Sequence, residues 1–174
     1  SGFSTFGGNM TRTGFGFKKF LQEGYTPILA WNQSTTDWMD FRLAEIYLNY
    51  AEAVVESGSG DASKAENAIN ALRRRAAHST TIPLTLENVL RERRVELVFE
   101  NHRYWDLVRT RTYHTQFEQR SRHSLTPVFD TRSMKYIFVR KEVWRTAPMT
   151  FPESGYYKAI PGVATNNLVQ NPQY

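Results

Sequence analysis

The sequence predicts a mainly α fold: an antiparallel helical hairpin and a third long helix, with irregular loops and a few short strands. Three observations carry this. Apolar residues recur at helical spacing through 38–57 and again through 62–76, with Gly58-Ser59-Gly60 between them. A third periodic run covers 86–109, and the tail beyond it is punctuated by Pro127, Pro148, Pro152, Pro161 and Pro172. The chain has 174 residues, 40% of them hydrophobic, which suffices for one sizeable core. It is therefore read as a single domain, 1–174, with an extended lead-in (1–37), a helical block (38–111) and a loop-rich tail (112–174).

The lead-in combines Gly2, Gly7, Gly8, Gly14 and Gly16 with many aromatics and shows no helical period. Gly14-Phe15-Gly16 matches neither the dinucleotide fingerprint nor a P-loop, so turns explain it better. The first helix is expected from Trp38 to Ser57, capped by Thr36 or Asp37 and closed at Gly58. Arg42, Glu45, Asn49, Glu52 and Glu56 share a narrow polar arc. The remaining surface is apolar and demands packing on at least two sides.

A second helix, capped by Asp61 or Ser63, places Ala62, Ala65, Ala68, Ile69, Leu72 and Ala76 on one side, small enough for close approach to the first. The Tyr/Ala spacing of this pair resembles one tetratricopeptide-like unit, although no second copy is visible at its period. Pro83 and Thr85 prepare the third helix, expected from Leu86 to Arg109 with a kink near Asn101-His102. On a continuous helix Leu86, Val89, Leu90, Leu97, Tyr104, Leu107 and Val108 form one stripe, and Arg93 and Glu100 fall inside it. A charge among core residues must be paired. Arg93, Glu96 and Glu100 are accordingly assigned to a structural ion network. Beyond Thr112 a short strand is expected at 134–139 and a second short element at 142–146. Residues 159–174 carry no charge, and that segment is expected to lie over the body, pinned by Tyr157, Ile160, Leu168 and Tyr174.

Composition narrows the chemistry. There is no Cys, which excludes disulfides and thiolate metal sites in this chain. His78, His102, His114 and His123 fit no zinc spacing, and no carboxylate has a His three residues on, as a di-metal helix requires. No metal and no cofactor is expected. Gly58-Ser59-Gly60 lacks the first Gly of a nucleophile elbow and follows a helix, so a linker is the better reading. The net charge of +5 lies mostly after the third helix, whose own arginines alternate with Glu, and no nucleic-acid partner is expected. Sugar recognition wants open aromatic planes ringed by hydrogen-bonding groups. The loop residues of that kind are Trp31 with Asn32, Trp144 with Arg145, and Tyr156, whereas Trp105 is expected to pack.

Four ordered stretches carry a resemblance. They are Arg42-Leu43-Ala44-Glu45-Ile46-Tyr47-Leu48-Asn49-Tyr50-Ala51-Glu52-Ala53, then Ile69-Asn70 with Arg73 to Ala76, and Gln170-Asn171-Pro172-Gln173-Tyr174 at the end. Between the last two runs Glu92-Arg93-Arg94, Glu96-Leu97, Phe99-Glu100, Arg103-Tyr104-Trp105-Asp106-Leu107 and Arg109. Together these resemble the SusD/RagB family, and Arg12-Thr13-Gly14-Phe15 with Lys18-Lys19 resembles the segment before its first C-terminal helix. The resemblance covers the C-terminal portion of that family, and the opening Ser1-Gly2 fits a chain lacking its front. What it implies is a non-catalytic nutrient-binding protein of Bacteroidetes-type bacteria on a scaffold of tetratricopeptide-like helical pairs. It further implies an outer-membrane, cell-surface location, a lipid anchor outside this chain as the sole membrane link, an oligosaccharide or other nutrient ligand, and handover to a SusC-like TonB-dependent transporter. A helical-repeat scaffold for protein partners is the alternative. A glycoside hydrolase fragment is a weaker one, since it needs two carboxylates placed in a cleft.

Overall fold

The computed structural model describes residues 16–22, 24, 34–117, 123–142, 150–163 and 167–171. The chain forms two compact units, Lys19–Asp106 and a second that contains Leu107–Tyr174. The first is helical: α1 (Leu43–Ser57), α2 (Ala62–Arg75) and α3 (Leu86–Glu96), followed after a turn by the start of α4 (His102–Arg109), whose last residues belong to the second. The second holds α5 (Tyr113–Phe117), a hairpin of β1 (His123–Asp130) and β2 (Lys135–Glu142), and a 3-10 turn at Glu153–Tyr156.

α1 ends where the sequence says it should, with Gly58 at φ 62° in the left-handed region. Its start is a correction. The helix begins at Leu43 and not at Trp38, with Arg42 as N-cap and no capping side chain. Trp38, Met39 and Phe41 stay 53%, 41% and 76% exposed, so no burial draws them into the helix. α2 is capped by Asp61, whose carboxylate accepts from the Lys64 amide at 2.8 Å. In α3 the Thr85 hydroxyl accepts from the Asn88 amide at 3.2 Å.

α1 packs against both α2 and α3, the two-sided packing that its wide apolar arc demands. Leu48, Ile69 and Val89 are fully enclosed, one from each helix. Ala51 and Ala65, both at 0% exposure, let α1 and α2 approach closely. Leu43 and Ile46 remain open, and Glu52, read as part of the polar arc, is buried instead. Asn70 fastens the connection into α3. Its amide nitrogen donates to the carbonyls of Glu66 and Ile82 at 3.0 Å, while Ile82 N–H donates to Asn70 Oδ1 at 2.9 Å.

The long third helix is the main correction. It breaks after Glu96 and restarts at His102, and within the break Phe99 and Asn101 take φ of 64° and 63°. Neither residue is Gly, and a left-handed Phe costs about 1 kcal/mol or more, so nearby bonds must hold it. The break turns α4 away from the continuous stripe: Leu107 is buried, but Tyr104 stays 46% exposed.

β1 and β2 pair antiparallel from His123↔Glu142 to Asp130↔Lys135. The strand expected at 134–139 is β2, shifted toward the C-terminus; β1, with Pro127 inside it, gives no clear strand pattern in the sequence. Asp130 closes the turn, accepting from the amides of Arg132 (3.0 Å) and Ser133 (3.3 Å) and from the Ser133 hydroxyl (2.6 Å). Of the tail's expected anchors, Tyr157 and Ile160 are half-buried, Leu168 is 54% exposed, and Tyr174 lies outside the described residues.

Candidate functional site

Arg93, Glu96 and Glu100 of the third run sort into two clusters, while Glu92 pairs separately with Arg73 at 2.6 Å. Glu96 and Glu100 meet on Arg42 at the frayed end of α3. Arg42 Nη1 donates to Glu96 Oε1 at 2.5 Å, and Nε lies 3.1 and 3.0 Å from the two oxygens of Glu100. Arg75 adds a 2.6 Å bond to Glu96, and Lys19 pairs with Glu100. The same cations close the helix terminus: Lys19 Nζ donates to the carbonyls of Glu96 (3.0 Å) and Val98 (2.9 Å), and Arg42 Nη2 to that of Glu96 (2.8 Å). Cations at a helix C-terminus satisfy orphan carbonyls and oppose the negative end of the dipole. Burial alone would raise the Glu100 pKa, but the hydrogen bonds and charges of Arg42 and Lys19 outweigh it and hold it below the ordinary carboxyl range.

Arg93 belongs to the other cluster. It is 5% exposed, donating through Nε to Asp106 Oδ1 (2.8 Å) and through Nη1 to Asn49 Oδ1 (2.5 Å), with Glu45 at 3.7 Å. His102 Nε2 stands 3.7 Å from the other oxygen of Glu45. Arg93 thus ties α3 to α1 and α4. The sequence reading missed Asp106, Asn49, Arg42 and Lys19 as members.

Of the proposed ligand contacts, Trp31, Asn32, Trp144 and Arg145 lie outside the described residues. Tyr156 is half-buried and spends its hydroxyl internally, accepting from the His114 amide at 3.1 Å and lying 2.5 Å from His114 Nδ1. The Arg111 guanidinium sits over the rings of Tyr156 and Tyr157 at 5.2 and 4.5 Å. Phe151 stacks on Tyr113 at 4.1 Å and meets Tyr156 edge-on at 4.8 Å. Trp105, expected to pack, is 61% exposed; its ring lies 5.0 Å from Tyr104 at 78°. It is an open aromatic plane, at a position outside the apolar stripe of the third run.

Glu100 is not poised as a general acid. A general acid needs a raised carboxyl pKa, whereas Glu100 is held charged by two cations. Among the described residues no cluster of His, Asp and Glu is placed to hold a metal, and no helix is long and apolar enough to cross a membrane.

Comparison with known proteins gives these residues a context. The sequence model of the SusD family matches residues 2–174. A SusD-like protein from Bacteroides fragilis NCTC 9343 has a similar structure, with TM-score 0.59 and 27% identity over 83% of this chain and 28% of its own. Surface glycan-binding protein A from Bacteroides thetaiotaomicron superposes with TM-score 0.50 and 29% identity, over 78% of this chain and 24% of its own. The chain thus spans about a quarter of the length of these solved structures. No curated protein matches it.

Proposed function

Because the chain belongs to the SusD family, we propose that it works as part of a non-catalytic protein of the bacterial outer surface, binding glycan or other nutrient oligomers and passing them to a TonB-dependent transporter. The observation that carries this reading is the family match along residues 2–174, seconded by a structural neighbour that is itself a surface glycan-binding protein. The geometry adds a division of labour. The charged residues that make the family recognisable, Arg93, Glu96, Glu100 and Asp106, are engaged with one another and with Arg42 and Lys19, so they serve the scaffold. Recognition of sugar falls to aromatic planes, of which Trp105 is one open to solvent, with Trp31 and Trp144 still proposed from sequence. A lipid anchor supplied elsewhere in the protein would hold it at the membrane.

The test is a glycan array probed with the full-length protein, followed by calorimetry on any hit. The expected result is binding to at least one oligosaccharide without its hydrolysis, and weak or no binding by residues 1–174 alone, because a sugar site needs several convergent groups held rigidly. Cleavage of the bound glycan would favour the hydrolase reading. Co-purification of a TonB-dependent transporter with the tagged protein tests the handover.

A further inference from the structure

The break between α3 and α4 works against the local sequence. Residues 97–101, Leu-Val-Phe-Glu-Asn, contain neither Gly nor Pro, and the apolar stripe from Leu86 to Val108 lines up on a continuous helix. Phe99 and Asn101 nevertheless take φ of 64° and 63°. A left-handed Phe is disfavoured by its own Cβ, and strain of that kind persists only where the surroundings over-determine it. A continuous helix would relieve both residues and add backbone bonds across the turn, so a contact outside the turn must exclude it.

Two sets of contacts span the break, and they differ in what a straight helix would do to them. Glu96 and Glu100 stand four residues apart, about one helical turn, so both carboxylates would still share a face toward Arg42 and Lys19 if the helix ran on. The Glu96 and Val98 carbonyls that Lys19 and Arg42 now hold would pass to the amides of the helix itself. The pair Arg93–Asp106 has no such second arrangement. The 13 residues between them rise about 20 Å along a straight helix, whereas Arg93 Nε lies 2.8 Å from Asp106 Oδ1. Straightening would carry Asp106 away, and the buried Arg93 would keep Asn49 and Glu45 but lose its nearest carboxylate.

We propose that the Arg93–Asp106 pair is a conformational selector: it is the contact that chooses the broken α3–α4 arrangement over a continuous helix that the rest of the segment would accept. A buried ion pair adds little net stability over an apolar pair of the same size, and its best-attested use is to fix one arrangement among several. The pair is therefore placed where two arrangements of one sequence compete. The inference concerns the shape of the scaffold and does not depend on the glycan reading.

A crystal structure of the full-length protein carrying Arg93→Met and Asp106→Leu tests it, with hydrogen exchange on the same variant in solution. The expected structure runs as uninterrupted α-helix from Leu86 through the former break. The amides of 98–102 should then exchange more slowly by about tenfold or more, since each takes a carbonyl partner four residues back. Adding Asn101→Gly should restore the break, because Gly accepts the left-handed conformation and weakens a helix interior. A double variant that folds with Phe99 and Asn101 still left-handed overturns the proposal, since Arg42, Lys19 or the rest of the protein would then suffice to hold the turn. Should the double variant fail to fold, Asp106→Leu alone decides, because Arg93 keeps Glu45 and Asn49 in it. Slower exchange at 98–102 in that variant supports the selector, and unchanged or faster exchange overturns it.

Discussion

The helical unit and the unit that follows it solve the burial problem differently. In Lys19–Asp106 apolar side chains from three helices close over one another and charged side chains are drawn in with their partners: Arg93 and Glu100 are each 5% exposed and Asp106 6%. In the unit containing Leu107–Tyr174, Leu107 is the one fully buried apolar residue among those described. Order there comes from half-buried rings, Tyr113, Phe151 and Tyr156, clamped by Arg111 and His114, and from an Asp130 turn that sets the register of an open ribbon. The difference teaches that a charge is tolerated inside a scaffold when its partners are drawn in beside it, while an exposed ribbon relies on local turn chemistry.

Arg93→Ala should break that contrast most severely. It leaves Asp106 buried without its cation and should destabilise the helical unit by about 3–5 kcal/mol in a denaturant melt. A companion variant, Arg93→Met with Asp106→Leu, should recover most of the loss, because an apolar pair of similar size carries no uncompensated charge. If the double variant is as unstable as the single one, the ion pair is needed for more than neutralisation. Leu48→Ala, at the centre of the apolar packing, should cost about 2–4 kcal/mol by the same measurement.

Acid should find the other cluster. The Glu100 pKa is lowered from an ordinary value of 4.5. A carboxyl of this kind contributes its full stabilisation above the unfolded value and loses it as pH falls through the folded one. The urea midpoint should therefore decline as pH drops below about 4.5, and Glu100→Gln should flatten that decline while lowering stability at neutral pH. An unchanged pH profile in the variant would move the acid sensitivity elsewhere.

Smaller effects sharpen the comparison from the side of local chemistry. Asp61→Ala removes the α2 cap and should cost about 1 kcal/mol. Tyr136→Thr on the open ribbon should change stability by about 0.5 kcal/mol or less. A larger loss there would mean that the ribbon is packed in the full-length protein.

How much of this was legible can be seen in particular residues. Gly58, Asp61 and Thr85 mark their helix ends because capping is local and the residue types that perform it are few. The break at 97–101 is legible only as the kink near Asn101-His102 and not in its extent, since the apolar stripe runs on through Leu97 and Tyr104 and the left-handed positions fall on Phe99 and Asn101, with no Gly to announce them. What holds the break is distant: Arg42 and Lys19 reach Glu96 from 54 and 77 residues away. The same distance hides the true membership of the ion clusters. β1 escaped because a strand with an internal Pro gains its identity from pairing with β2, which sequence patterning does not display. The charged members of the family motifs, among them Arg42, Arg93, Glu96, Glu100 and Asp106, are residues that cross-link the helices.

The long reach of the Arg42 and Lys19 bonds bears on the order in which the unit assembles. The α1–α2 hairpin closes across four residues, a fast local event, whereas joining Arg42 to Glu100 closes a loop of 58 residues and is entropically late. Bonds that form after the rate-limiting barrier restrain escape from the native state more than they hasten arrival. Arg42→Ala should thus steepen the loss of protein to unfolding while leaving the refolding arm of a chevron nearly in place. On that account Arg42, Glu96 and Glu100 form a latch, setting how long the folded unit lasts more than how fast it forms.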